Sequence, residues 1–257
     1  MNNPNEYENI LLKKRGWISK IPDNKKCVML VSGGLDSIST TARLICDYGF
    51  EIFPLYIERN ARNEEAEKNS LDFFLKLFRE KYGNNRIHDV FFIKSDVPPL
   101  EIKDKLQYHA NTLKLFYPLR DSILNYLAVQ YLISLRPEYN ISMVFNAMIY
   151  SDGLLNPNAT LEINRINTIN ACEATKDWEL QITSPNIDNY LTNKIFSKKE
   201  EIEWCYINSI PIENSITCWN PIKVENNFLH CGRCDTCKRR KIAFKEAGIK
   251  DLTKYYS

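Results

Sequence analysis

Short apolar runs alternate along the chain with longer stretches whose apolar positions recur every three or four residues. The run CVMLV (27–31) predicts a buried strand. After it, Leu35, Ile38, Ala42 and Ile45 share one face, which predicts a helix to about Tyr48. EIFPLYI (51–57) predicts a second strand, NEEAEKNSLDFFLKLFREKYG (63–83) an amphipathic helix closed by Gly83, and IHDVFFIKS (87–95) a third strand. Segment 97–115 carries two prolines and no clean period, so it predicts a loop with helical pieces. A helix over LRDSILNYLAVQYLISL (119–135) is expected to stop before Pro137. ISMVFNAM (141–148) predicts the fourth strand, TLEINRINTINACEAT (160–175) a helix, and LQITSPN (180–186) a short fifth strand. TNKIFSKKEEIEWCYINS (192–209) predicts a helix that ends near Pro211, and a last helix closes the chain. Residues 1–24 are polar apart from Ile10, Leu11, Leu12 and Trp17, which predicts a short helix or arm packed on the rest.

Strands that alternate with helices of ten or more residues predict an α/β fold, a mostly parallel five-stranded sheet with helices on both faces. Three parts are expected: an N-terminal arm (1–24), a ligand-binding domain (25–210) and a small, helical, cysteine-bearing C-terminal appendage (211–257). Ligands of such sheets bind at the carboxyl ends of the strands.

With 257 residues, 44% of them hydrophobic, the chain is long enough to bury a full core. A net charge of +2 argues for no nucleic-acid partner by itself. No run approaches the roughly 20 apolar residues of a membrane span, and residues 1–8 lack a signal-peptide layout, so a cytoplasmic protein with no membrane partner is expected.

Candidate chemistry begins where the first strand breaks into Ser32-Gly33-Gly34-Leu35-Asp36-Ser37. A strand, a glycine-rich turn and a helix start make an anion site, because backbone N–H groups point outward and the helix dipole favours negative charge. Gly33 and Gly34 remove Cβ atoms where backbone must approach phosphate, Ser32 and Ser37 offer hydroxyls, and Asp36 can hold Mg²⁺ or cap the helix. No lysine follows the glycines, which excludes the GxxxxGK[ST] loop.

The second signal is TCWNPIKVENNFLHCGRCDTCKRR, with Cys218, Cys231, Cys234 and Cys237 spaced C-x₁₂-C-x₂-C-x₂-C. Four thiolates close a tetrahedral Zn²⁺ shell, and an iron–sulfur cluster takes the same ligand set. His230 reads as a neighbour of this centre, and Lys238-Arg239-Arg240-Lys241 as the solvated first turn of the last helix. Cys27, Cys46, Cys172 and Cys205 read as scattered core residues.

The Ser-Gly-Gly-x-Asp-Ser loop resembles that of the ATP pyrophosphatase (PP-loop) superfamily, with its adenine nucleotide α-hydrolase-like fold. Together with the cysteine cluster it resembles the 7-cyano-7-deazaguanine synthase family. FYPLRDSILNYLA (116–128) is similar to that family's Phe-x-Pro-x-Arg helix start, ITSPNIDNYLTNKIF to its Thr-Pro-Leu…Lys segment, and ENSITCWN to its Thr-x-Thr-Cys stretch. YIERN keeps the family's Tyr56 and Arg59 but has Asn60 in place of histidine. The resemblance implies ATP, Mg²⁺ and a structural Zn²⁺, with 7-carboxy-7-deazaguanine and ammonia as substrates and commonly a homodimer. It implies an acyl-adenylate that ammonia converts to an amide, and a second ATP that drives the amide to the nitrile, the queuosine precursor. Val31, Ser32, Gly33, Gly34, Leu35, Asp36, Ser37 and Tyr56 are then expected to bind the nucleotide. Arg59, Arg120, Asp152 and Arg165 are expected to bind substrate, and Asp36, Arg120 and Lys194 to serve catalysis, the last two as cations at helix starts. Cys218, Cys231, Cys234 and Cys237 are expected to hold the metal. No general base stands out, and His88 and His109 read as structural. Adenylation needs none, because a carboxylate is already a nucleophile.

Three other readings stay open. The adenylate could pass to an amine of a protein partner, as in a nucleobase–protein conjugation used for antiviral defence. A PP-loop tRNA-thiolating enzyme would need a cysteine pair, and Cys172 stands alone. A non-catalytic zinc-ribbon binder leaves the intact loop without a use.

Overall fold

A computed structural model describes residues 4–113, 117–154, 156–192 and 194–256, and side chains other than 109–113 within them. Phe116 of the helix-start motif, residues 155 and 193, and the side chain of His109 lie outside the described residues.

The elements run α1 (Glu6–Arg15), β1 (Lys26–Leu30), α2 (Leu35–Cys46), β2 (Glu51–Glu58), α3 (Glu64–Tyr82), β3 (Phe91–Lys94), α4 (Leu100–Leu113), α5 (Arg120–Tyr139), β4 (Met143–Phe145), α6 (Tyr150–Gly153), α7 (Leu161–Thr175), β5 (Gln181–Thr183), α8 (Lys198–Ile207), β6 (Ile222–Val224), β7 (Asn227–Leu229) and α9 (Asp235–Ala247). The first five strands form one sheet in the order β3-β2-β1-β4-β5, every pair parallel, and β6-β7 is a small antiparallel hairpin. Side chains alternate across a strand, so β1 and β4 feed two cores. Cys27, Met29, Met143 and Phe145 join a cluster with Leu35, Phe74, Ile202 and Phe244, from α2, α3, α8 and α9. Val28 and Val144 join Ala128, Leu132, Ala171 and Ile182 on the other face. Through Ala243 and Phe244 the cysteine-bearing appendage is anchored in the first of these cores.

The chain leaves β1 toward β2 and β3, then crosses back to β4 on the other side of β1. The connections after β1 and β4 therefore diverge at a topological switch point, the crevice in which open α/β sheets bind ligands. Segment 32–37 lies there.

Three expectations are corrected. Where a loop with helical pieces was expected over 97–115, Leu100–Leu113 form one continuous helix, α4. Both prolines precede its first residue, where a missing N–H costs nothing. Next, α5 runs through Pro137 to Tyr139. The proline falls in the last turn, Asn140 in the left-handed conformation caps it, and Tyr139 packs on Phe53 at 4.6 Å. Finally, α8 begins at Lys198 rather than Thr192, because Ser197 and Glu200 form a reciprocal capping box.

Candidate nucleotide site and metal centre

The turn after β1 is shaped by its own hydroxyls. Ser37 Oγ accepts from the Ser32 N–H (3.1 Å) and donates to the Gly34 carbonyl (3.3 Å). Gly33 sits at φ 68, and a Cβ there would meet the Glu67 carbonyl at 2.4 Å, so both conformation and space demand glycine. Its carbonyl accepts from Ser70 Oγ (2.8 Å) on α3 and from the Ile216 N–H (2.9 Å). No side chain caps α2. Its first-turn N–H groups could receive an anion.

Asp36 stands in that first turn. Both of its oxygens accept from Lys198 Nζ, at 2.6 and 2.8 Å. Burial works to raise the Asp36 carboxyl, but Lys198 overrides it and holds the group below its ordinary value. Beside them Glu201 on α8 is fully buried. Burial and the Asp36 charge push its carboxyl well above the ordinary value. Asp152 on α6 reaches the same group, 3.9 Å from Arg239 on α9, and burial followed by the Asp36 charge raises it. Four elements thus converge on the loop mouth: α2, α6, α8 and α9.

The structure distributes the other expected residues differently. Lys194 is exposed in the extended entry to α8, with Nζ 4.8 Å from the Phe196 ring, and is not at a helix start. The lysine brought to the loop is Lys198, and the S-x-x-E box over Ser197–Glu200 was the signal that could have found it. Tyr56 is fully buried, and its hydroxyl donates to Glu67 (2.7 Å), which also accepts from Arg59 (3.0 Å) and Asn63 (2.8 Å). Tyr56 therefore braces α3 behind the loop instead of facing a nucleotide. Asn60 takes φ 56, a conformation asparagine tolerates better than most residues. Arg165 is buried in a bidentate pair with Asp188 (2.9 and 2.9 Å), with Ser19 at 2.7 Å and Glu8 at 3.6 Å, so its fork is committed to tying α7 to the N-terminal segment. Arg120 does start α5, and the adjacent Asp121 (2.8 Å) offsets its charge against the helix dipole. Asp121 accepts in turn from Asn156 (2.7 Å), whose N–H bonds the Asp152 carbonyl (2.8 Å), so Arg120 stands one layer out from the loop. His88 pairs with Glu51 (2.7 Å) and stacks on Phe53, a structural position.

At the C-terminal side, the ligand atoms of Cys218, Cys231, Cys234 and Cys237 lie within 4.8 Å of one another. This is a set that could hold a metal ion. His230 is not part of it: Nε2 donates to the Ser215 carbonyl (3.1 Å). The basic run is not a solvated turn, because Arg240 is fully buried and Arg239 turns to Asp152.

A family model described as queuosine biosynthesis protein QueC matches residues 26–248. The chain belongs to the QueC family. Among relatives, the 7-cyano-7-deazaguanine synthase of Methanococcus aeolicus is 26% identical over 245 residues, covering 90% of this chain and 99% of that protein. The synthase of Prochlorococcus marinus is 25% identical over 239 residues, covering 89% and 97%. Among solved structures, NMN synthetase from Francisella tularensis matches at 14% identity with a TM-score of 0.44, covering 97% of this chain and 88% of that one. As a QueC family member the chain is an ATP-using enzyme of the ligase kind. Among the described residues no helix is long and apolar enough to cross a membrane.

Proposed function

We propose that this enzyme activates the carboxylate of 7-carboxy-7-deazaguanine with ATP, as a 7-cyano-7-deazaguanine synthase does. The observation that carries the reading is the uncapped Ser32–Ser37 loop at the switch point, with Asp36 and Lys198 at its mouth, in a chain of the QueC family. The substrate carboxylate oxygen attacks the α-phosphorus and pyrophosphate leaves. Ammonia then adds to the acyl carbon and AMP departs, leaving the amide. The amide oxygen attacks the α-phosphorus of a second ATP and pyrophosphate leaves, and loss of AMP with the two N–H protons then leaves the nitrile.

No step needs a strong base, so the protein's work is to position charge and neutralise it. The first-turn N–H groups of α2 would receive phosphate oxygens. Lys198 and Arg239 supply positive charge at the same mouth, and Arg120 would orient the carboxylate from the start of α5. Mg²⁺, held by Asp36, would neutralise the phosphates of the leaving group. We assign zinc to the cysteines. A tetrahedral ion with bonds of about 2.3 Å sets its sulfurs roughly 3.8 Å apart, and Cys218 and Cys234 already stand at 3.9 Å. That spacing favours one ion over a cluster, whose thiolates bind separate iron atoms.

The test is mass spectrometry of purified protein with ATP, Mg²⁺, ammonium and 7-carboxy-7-deazaguanine. Amide or nitrile with AMP is the expected result. AMP without a free product would direct the search to a macromolecular acceptor, and no AMP would overturn the substrate.

A further inference from the structure

Arg240 presents a contradiction. It is 0% exposed, and among the described residues no carboxylate lies within ion-pair distance of it, Asp251 and Asp36 acting on its charge only from further away. Its N–H groups donate to Thr253 Oγ1 (2.9 Å), Ser215 Oγ (3.0 Å), Thr217 Oγ1 (3.3 Å) and the Ile212 carbonyl (2.6 Å). Neutral acceptors satisfy the hydrogen bonds but do not cancel the charge, and burying an unpaired ion is costly.

Three of the four acceptors belong to the segment 212–217 that crosses the loop. Ser215 and Thr217 flank Ile216, whose N–H holds the Gly33 carbonyl at 2.9 Å. The Ile216 carbonyl in turn would lie 3.5 Å from a Cβ on Gly34. In a planar trans peptide the C=O and the next N–H point opposite ways. Drawing the Gly33 carbonyl toward Ile216 and Ser70 therefore turns the Gly34 N–H the other way, toward the mouth, where its one partner among the described residues is Ser32 Oγ at a long 3.4 Å.

We propose that Arg240 is a positioning residue for the nucleotide loop: its guanidinium fork sets Ser215 and Thr217 so that Ile216 pins Gly33 and aims the Gly34 N–H at a phosphate of ATP. The same guanidinium leaves a positive charge beneath the loop that the phosphates offset. Because Cys218 follows Thr217, the metal centre and the loop are held by one strut. This inference rests on the reading of the loop as the ATP site.

The experiment compares Arg240→Lys, which keeps the charge and loses the fork, with the wild-type holoenzyme. Binding of α,β-methylene ATP is followed by calorimetry, alongside steady-state kinetics and metal content. The expected result is full metal content, a rise of about tenfold in the Kd of the analogue and in the KM for ATP, and little change in the KM for the carboxylate or in kcat at saturating ATP. A purely structural role would not divide the kinetics in this way. A folded Arg240→Lys that binds the analogue like wild type, or that loses kcat alone, overturns the proposal. Should Arg240→Lys fail to fold, Thr217→Val removes a single acceptor and is expected to weaken analogue binding about threefold. Unchanged affinity in Thr217→Val also overturns it. A wild-type enzyme that does not bind the analogue would sink the loop reading and this inference together, whereas failure of the variants alone sinks only the role of Arg240.

Discussion

Around the loop after β1 the partly or fully buried polar groups are mostly ions, whereas around Asn146 at the end of β4 they are mostly amides. Asp36, Lys198, Glu201, Arg43 and Arg240 surround the loop and the helix behind it. Across β4, Asn146 Nδ2 donates to Asn125 (3.2 Å) and Asn164 (3.1 Å), and Asn156 reaches Asp121 (2.7 Å). Both sides are buried, yet they follow different rules. Each ion depends on a partner supplied by another element, so its protonation and its neighbours move together. The amides carry no charge, and each loss is local. The proposed chemistry fits this division. Phosphate chemistry requires cations and a carboxylate for Mg²⁺, while a neutral heterocycle is matched by neutral donors and acceptors.

The comparison breaks most severely at the cysteines, because the ionic side hangs on them through Ile216. Cys234→Ser is expected to lose the metal and solubility together, since a structural zinc contributes on the order of 10 kcal/mol to folding. A soluble, metal-free and active Cys234→Ser by metal analysis would show that the strut does not depend on the ion. Next in size is Asp36→Ala. AMP formation should fall by about 10³-fold or more while metal content and folding persist. Normal AMP release from this variant would remove the loop from the mechanism.

On the amide side, Asn146→Ala leaves Asn125 and Asn164 short of a donor and should cost about 1–3 kcal/mol. That corresponds to a fall in Tm of about 2–4 °C per kcal/mol, equal at pH 6 and pH 8. A pH-dependent loss would mean that charge reaches across β4. The smallest effect sharpens the ionic side. Glu201 has its folded pKa raised, so above the unfolded value of about 4.3 folding takes up a proton, and stability falls as pH rises toward the folded pKa. Glu201→Gln removes that slope. Its denaturation midpoint relative to wild type should rise from pH 5 to pH 8, and a flat difference would show that Glu201 is ionised in the folded protein.

Local signals carried much of this architecture. Short apolar runs and period-3.6 stretches located all five strands of the main sheet and most helices, because a strand covered on both faces selects continuous apolar residues and a helix packed on a sheet selects one apolar face, whatever lies opposite. The Ser32–Ser37 turn and the cysteine spacing were legible for the same reason, since each is a contiguous stretch whose backbone geometry is its function. Errors gathered where prolines and caps decide boundaries: Pro98 and Pro99 opened α4, and Ser197 delayed the start of α8.

Charge was the least legible property. Arg165, Arg240, Lys194 and Lys198 look alike in a string, yet one is locked to Asp188, one is buried among hydroxyls, one points to solvent and one holds Asp36. By itself the sequence determined the α/β alternation, the anion-binding turn and the four-thiolate set, because these depend on neighbours a few residues away. Only the tertiary structure decided which cation meets Asp36, why Tyr56 braces rather than binds, and that Ile216 ties the cysteines to the loop. Those pairings join residues from 11 to more than 180 positions apart, and what sets them is the burial of each polar group against the partner that the fold delivers to it.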